Sequence, residues 1–330
     1  MRVVAAPDKL RGTASASDVA KAIGDAAFEL GWECDEVPMA DGGEGTLDAL
    51  GGPNRVTTVT GPLGDPVEAR WRLDGRTAVI EMARASGLEV VGGAEGNDPV
   101  AASSAGTGEL IVGALDAGAR RVIVGLGGSA TTDGGLGALR ALHPLGRLKG
   151  IELVVAYDSR VPFLDAATVF AAQKGATAAQ VELLRRRLER LAQVYLDEHG
   201  IDVLGLEGAG AAGGLGGGLA AAGGTLVSGF DLIADEVGLD EVLDGADLVI
   251  TGEGFLDEQS FEGKVVGGVA ALAEELAVPV VAVAGQVYEP ALGRIEAVSL
   301  VDRFGEDRAR ADTLACVREV AADLLRQHTA

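Results

Sequence analysis

Catalysis by this chain must rest on carboxylates, cations, hydroxyls and glycine-rich backbone, because histidine is nearly absent. His143 stands before a proline, His199 ends a charged stretch and His328 lies in the tail, so a Ser-His-Asp triad is excluded. Residues 125 to 135, GLGGSATTDGG, follow an apolar run and precede LGALRAL. Glycines such as Gly127 and Gly128 let the backbone approach a ligand, Ser129, Thr131 and Thr132 offer hydroxyls, and a helix start offers free N–H groups to an anion. That is a phosphate cradle, although a plain strand-to-helix turn has the same composition. Two further segments set carboxylates beside glycines: ADGGEGT, with Asp41, Gly42 and Gly43, and TGEGFLDEQSFEGK, with Glu253 and Asp257. Such carboxylates can hold Mg²⁺, orient a hydroxyl or accept its proton, and Asp41 or Asp257 can equally cap a helix. Of only five lysines, Lys9, Lys174 and Lys264 stand at glycine-bearing loops, where a cation is suited to binding an anion.

Two nucleotide fingerprints can be weighed against these segments. The Walker pattern G-x-x-x-x-G-K-[ST] occurs nowhere, since Gly263-Lys264 is followed by valine. Gly208, Gly210 and Gly213 with Asp231 imitate a dinucleotide fingerprint, but the stretch that follows is so glycine-rich that each interior glycine weakens a helix by ~1 kcal/mol. A packed loop and helix is the better reading of residues 208 to 224.

The elements that must position these residues alternate. RVVAAP predicts a strand, and Ser15 or Ser17 can cap a helix whose apolar positions include Val19, Ile23 and Phe28. DEVPM and the helix after Gly45 repeat the unit. The last ninety residues resume it with DLVITG (247 to 252), a helix over 263 to 276, PVVAVAG, AVSLV and a closing helix over 311 to 326. Strands alternating with helices imply a parallel sheet whose ligands gather at the strand carboxyl ends. Residues 54 to 240 break the rhythm with short strands VTTVTG, VEARWRL and TAVIEM. The expected organisation is therefore one α/β domain formed by residues 1–53 and 241–330, interrupted by an inserted α/β domain over 54–240, with ligands in the cleft between two such lobes.

Composition narrows the partners. The 330 residues carry 27 Lys plus Arg against 50 Asp plus Glu, and a net charge of -23 repels nucleic acid and anionic membrane. Cys34 and Cys316 are too few for a disulfide framework, which points to a reducing, cytoplasmic setting. The uncharged stretch 208 to 230 is too rich in glycine for a membrane helix. Subunit number stays open, a homodimer being one of the assemblies allowed.

Taken in order, APDKLRGTASA, PMADGGEGT, EMARASGL, GTGELI, GGSATTDGG, QKGAT, GAGAAGGLGGGL, SGFDL and ADLVITGEG closely resemble the bacterial glycerate kinase family (glycerate kinase type 1) across almost the whole chain. The resemblance implies ATP- and Mg²⁺-dependent phosphorylation of D-glycerate to phosphoglycerate. It also implies a flavodoxin-like doubly wound sheet interrupted by a second α/β domain. Lys9, Arg11, Lys174 and Lys264 become candidate anion ligands. Asp8, Asp133, Asp158 and Glu253 become candidates for base or metal ligand, Asp133 leading as base and Asp158 with Glu253 as the metal pair. Three departures stand out: Asp158-Ser159-Arg160-Val161 lacks the family's second Asp and its Asn, Phe255 replaces the arginine of G-E-G-R, and Ala171-Ala172 replaces Gly-Pro before QKGAT. They leave open a kinase for a related small hydroxy acid, or a non-catalytic paralogue that still binds glycerate or nucleotide.

Overall fold

The computed structural model describes residues 1–10, 12–291 and 293–329. Its strands in chain order are β1 (Arg2–Pro7), β2 (Glu33–Glu36), β3 (Arg55–Thr60), β4 (Pro66–Asp74), β5 (Thr77–Glu81), β6 (Arg121–Leu126), β7 (Glu152–Tyr157), β8 (Thr225–Ser228), β9 (Leu248–Leu256), β10 (Val280–Val287) and β11 (Glu296–Ser299). They form two sheets in two compact units.

The first unit holds Met1–Asp41, Asp48–Leu50 and Gly229–Ala330. Its five strands run in the order β11-β10-β9-β1-β2, every neighbouring pair parallel. Counted along the chain within the unit, that order is 2-1-3-4-5, the flavodoxin-like doubly wound arrangement. Strand alternation explains how both faces are buried. Val3 and Ala5 of β1 pack with helix Ala16–Glu29 and helix Thr313–Thr329, while Val4 and Ala6 pack with Met39, Phe230, Val265 and Val269 on the other side. The Ser15 hydroxyl accepts from the Asp18 amide at 3.1 Å and so starts the first helix, as its sequence predicts. Phe28 does not join the apolar face: it is 84% exposed. Five residues beyond Ile23 it has rotated about 140° round the helix, away from the stripe made by Val19 and Ile23.

One further expectation is revised by pairing. β9 does not stop at Gly252 but continues to Leu256, because β10 keeps pairing with it through Ala284↔Glu253 and Gln286↔Phe255. The closing helix expected over 311 to 326 is Thr313–Thr329, and a separate short helix, Glu306–Ala311, precedes it.

The second unit comprises Gly42–Leu47 and Gly51–Ser228. Its sheet runs β3-β4-β5-β6-β7-β8; β3 to β5 form an antiparallel meander and β5 to β8 are parallel. The Asp74↔Thr77 pair closes the tight turn at Gly75 that the Asp-Gly sequence announces. Ile80, Val122, Val124 and Val155 fill the core against Leu110 and Ile111 of helix Ala105–Asp116 and Leu215 and Leu219 of helix Ala211–Ala221. The charged helix Ala178–His199 begins in a capping box, Thr177 with Gln180, and lays Leu184, Leu188 and Tyr195 on Phe163.

The glycines of 208 to 218 have a packing reason. Gly213 sits at φ +70°, and a Cβ there would lie 1.9 Å from the Thr131 carbonyl oxygen. The Gly213 carbonyl in turn accepts from the Gly134 amide at 3.0 Å, so this segment presses directly on the 127–135 loop. Gly213→Ala should therefore lower stability by about 3 kcal/mol, combining a positive φ with a backbone collision. Denaturant unfolding monitored by circular dichroism checks this; an unchanged midpoint would remove the close approach as a constraint.

Candidate active site

In the first unit the charged residues collect where β1 and β9 end, the point at which chain order reverses in a doubly wound sheet. Asp8 follows β1 directly, and its amide donates to the Gly252 carbonyl at 2.8 Å, tying the two strand ends together. Its carboxylate accepts from the Lys9 amide at 2.7 Å and pairs with the Lys9 ammonium at 3.5 Å. Burial pushes the Asp8 carboxyl up to about 6, against the pull of Lys9 and with Asp41 adding to the rise. Burial likewise pushes Glu253 up to about 7, with Ser260 and Lys264 opposing and Asp8 and Asp257 adding. The Glu253 Oε1 atom is buried without a hydrogen-bond partner. Asp257 accepts from the Gln259 amide at 2.8 Å and caps the short turn Glu258–Phe261, which is the capping role its sequence allowed. Lys264 stands at the start of helix Val265–Glu275. Asp8, Lys9, Asp41, Glu253, Asp257 and Lys264 thus belong to one unit, and Arg11 lies outside the described residues.

The second unit assembles the glycine loops. A Cβ on Gly127 would lie 2.6 Å from the Gly43 Cα and 3.3 Å from the Asp158 Oδ2, so the segment with Gly42 and Gly43, the 127–135 loop and the end of β7 meet at one place. Lys174 is buried there, its ammonium donating at 2.7 Å to the Ser129 hydroxyl and at 2.7 Å to the Thr131 carbonyl. Burial lowers Lys174 to about 7, opposed by the charges of Asp133 and Asp158. Among the described residues no carboxylate forms an ion pair with it. Beside it the hydroxyls of Thr131 and Thr132 are buried and unpartnered, as is Asn97 Oδ1. A cation without a bound counter-charge, ringed by idle polar atoms, is chemistry for holding a small anion.

Asp133, the leading candidate for base, is heavily hydrogen-bonded. Its Oδ2 accepts from the Ser104 amide (2.8 Å), the Ser104 hydroxyl (2.8 Å) and the Gly137 amide (3.1 Å), while Oδ1 accepts from the Gly135 amide (3.0 Å). With four donors on its oxygens, the side chain fastens the loop. Sequence reasoning missed two supports. Glu81, buried at the end of β5, accepts from the Gly45 and Leu47 amides at 2.9 Å each and from Arg84 at 2.8 Å. The Asn97 amide bridges the Ala130 and Lys174 carbonyls at 3.0 and 2.9 Å. A buried-strand glutamate ending TAVIE was the available signal for Glu81; Asn97 had none.

Fold and site together define an α/β protein that gathers carboxylates, ammonium groups and glycine loops at parallel strand ends, the apparatus of small-anion and nucleotide chemistry. The chain belongs to the glycerate kinase family, whose model matches residues 3–146 and 143–329. The glycerate 2-kinase of Escherichia coli (strain K12) is 41% identical over 329 residues, covering 88% of this chain and 86% of that protein. The glycerate kinase of Bacillus subtilis (strain 168) is 40% identical over 327 residues, covering 87% and 85%. A crystal structure assigned to glycerate kinase 2 of Salmonella typhimurium LT2 is similar at a TM-score of 0.82 with 37% identity, over 100% of both chains.

The raised carboxyls have a measurable consequence. Asp8 and Glu253 bind protons more tightly folded than unfolded, so their contribution to stability is complete below the ordinary carboxylate range and is lost as pH rises through about 6 and about 7. Glu253→Gln, neutral throughout, should raise the melting temperature at pH 8 by about 2 °C or more and have little effect near pH 4. Thermal melts across that range check it, and a pH-independent difference would discard the buried carboxylate as the cause.

Proposed function

We propose that this protein transfers the γ-phosphoryl group of ATP to a hydroxyl of D-glycerate, giving phosphoglycerate. Family membership supports the reaction, and one observation carries the assignment of residues: the Lys174 ammonium, buried beside the unpartnered hydroxyls of Thr131 and Thr132. An acid substrate brings a carboxylate that can pair directly with this ammonium. Its carboxylate would accept from Lys174 and the neighbouring hydroxyls, with Gly127 and Gly128 allowing close backbone approach. Asp158, beside Gly127, is the carboxylate we assign to the hydroxyl proton, and Asp133 is assigned a positioning role.

The first unit would take the nucleotide phosphates, with Lys9 and Lys264 as cationic partners. Mg²⁺ fits Asp8 and Glu253. Mg²⁺ keeps several waters and takes only one or two protein carboxylates with substrate phosphates, and Glu253 offers a buried, unpartnered oxygen. When bound, the ion supplies charge neutralisation on the phosphates. Asp158, the other residue suggested for the metal, falls in the second unit and Glu253 in the first. We take these units to be the interrupted and inserted domains that the sequence implies, and we place the protein in the cytoplasm, where ATP is made and Cys34 and Cys316 stay free thiols. Among the described residues no helix is long and apolar enough to cross a membrane.

A coupled assay of ADP release with D-glycerate, L-glycerate and tartronate tests the reading. Turnover on D-glycerate is expected; turnover on another acid alone would move the acceptor, and none despite ATP binding would leave a binding protein. Lys174→Met should reduce kcat/KM for glycerate about 10³-fold while calorimetric ATP affinity stays within about twofold.

A further inference from the structure

The first unit contains a cavity of about 180 Å³ beside the carboxyl ends of β9 and β10. Leu10, Phe255, Leu300 and Val301 give it apolar walls. Phe255 is 47% exposed and Tyr288 is 42% exposed, their ring centroids 6.3 Å apart and tilted by 36°. Phe255, half in water in the wall of this hollow and with the Tyr288 ring beside it, offers a face to a flat partner. Gln286, the register partner of Phe255, also lines the hollow. Its oxygen faces the Tyr288 hydroxyl at 3.4 Å, and its amide nitrogen donates to no described residue.

The charge pattern says what kind of partner this is. Arg310, the one cation among the described residues that line the cavity, pairs with Glu306 at 3.1 Å. An uncharged, planar, hydrogen-bonding group suits the walls; an anion does not. Gly254, which lines the cavity, directly follows Glu253, and Leu10 lies two residues beyond Asp8. A heterocycle seated here would therefore have its substituents beginning beside the buried carboxylates.

We propose that this cavity is the adenine subsite of the nucleotide, with Phe255 stacking on the purine and Gln286 bonding its polar edge. This rests on the kinase reading for the identity of the nucleotide, and the test separates the two. Adenosine carries the base without phosphates, so its binding by calorimetry isolates the cavity. Phe255→Ala should weaken adenosine and ATP about tenfold, the scale of one lost base–aromatic stack. KM for ATP should rise in parallel, with KM for D-glycerate unmoved. Gln286→Ala should shift adenosine in the same direction by less, and it provides the test if the Phe255 variant proves misfolded by circular dichroism. Adenosine that fails to bind the native protein, or binds both variants as tightly as the native protein while glycerate is still phosphorylated, overturns the subsite and leaves the kinase standing. Adenosine binding that falls in Phe255→Ala when no acid is phosphorylated supports the subsite and overturns the acceptor reading.

Discussion

Lys174 is an ammonium held out of water by two neutral oxygens, the Ser129 hydroxyl and the Thr131 carbonyl. Desolvating a charge without an ion partner is among the costlier arrangements a fold can contain, and it persists only where the surrounding backbone cannot relax. The 127–135 loop meets that condition through bonds that reach far along the chain. Asp133 gathers the amides of Ser104, Gly135 and Gly137, Leu88 donates to the Gly128 carbonyl at 2.8 Å, and Ala130 donates to the Ser86 carbonyl at 3.0 Å. Gly213 closes the far side, where any side chain would strike the Thr131 carbonyl.

The first unit applies the same physics with the opposite sign. Asp8 and Glu253 are carboxylates drawn into the strand ends of a parallel sheet, and burial raises both toward neutrality. Such groups have little to gain from their own protein; a phosphate-bound cation would lower their energy. A bound ligand would relieve such a cost in either unit.

Much of this was legible beforehand. The alternation of RVVAAP, DLVITG and PVVAVAG with helical periodicity announces a parallel sheet, because strands buried on both faces must be continuously apolar. GLGGSATTDGG reads as a ligand loop because small residues between strand and helix have few other uses in such number. Phe28 misled because the last turn of a helix can carry a large apolar residue off the buried stripe. Glu253 and Phe255 looked like loop residues because glycines flank them, whereas pairing with Ala284 and Gln286 keeps them in strand. Asp133 looked like a free carboxylate because its four donors lie at Ser104, Gly135 and Gly137, and those on Ser104 are invisible to local spacing.

The amino-acid order by itself determined the family, the α/β class and the short list of charged and hydroxyl residues at strand ends, since all of these are carried by residue type and by periods of two and 3.6. Only the tertiary structure decided which of those residues is a fastener and which stays unsatisfied. That choice depends on where each hydrogen bond goes, and the deciding partners, Lys174 with Ser129, Glu81 with Gly45 and Asp133 with Ser104, stand tens of residues apart.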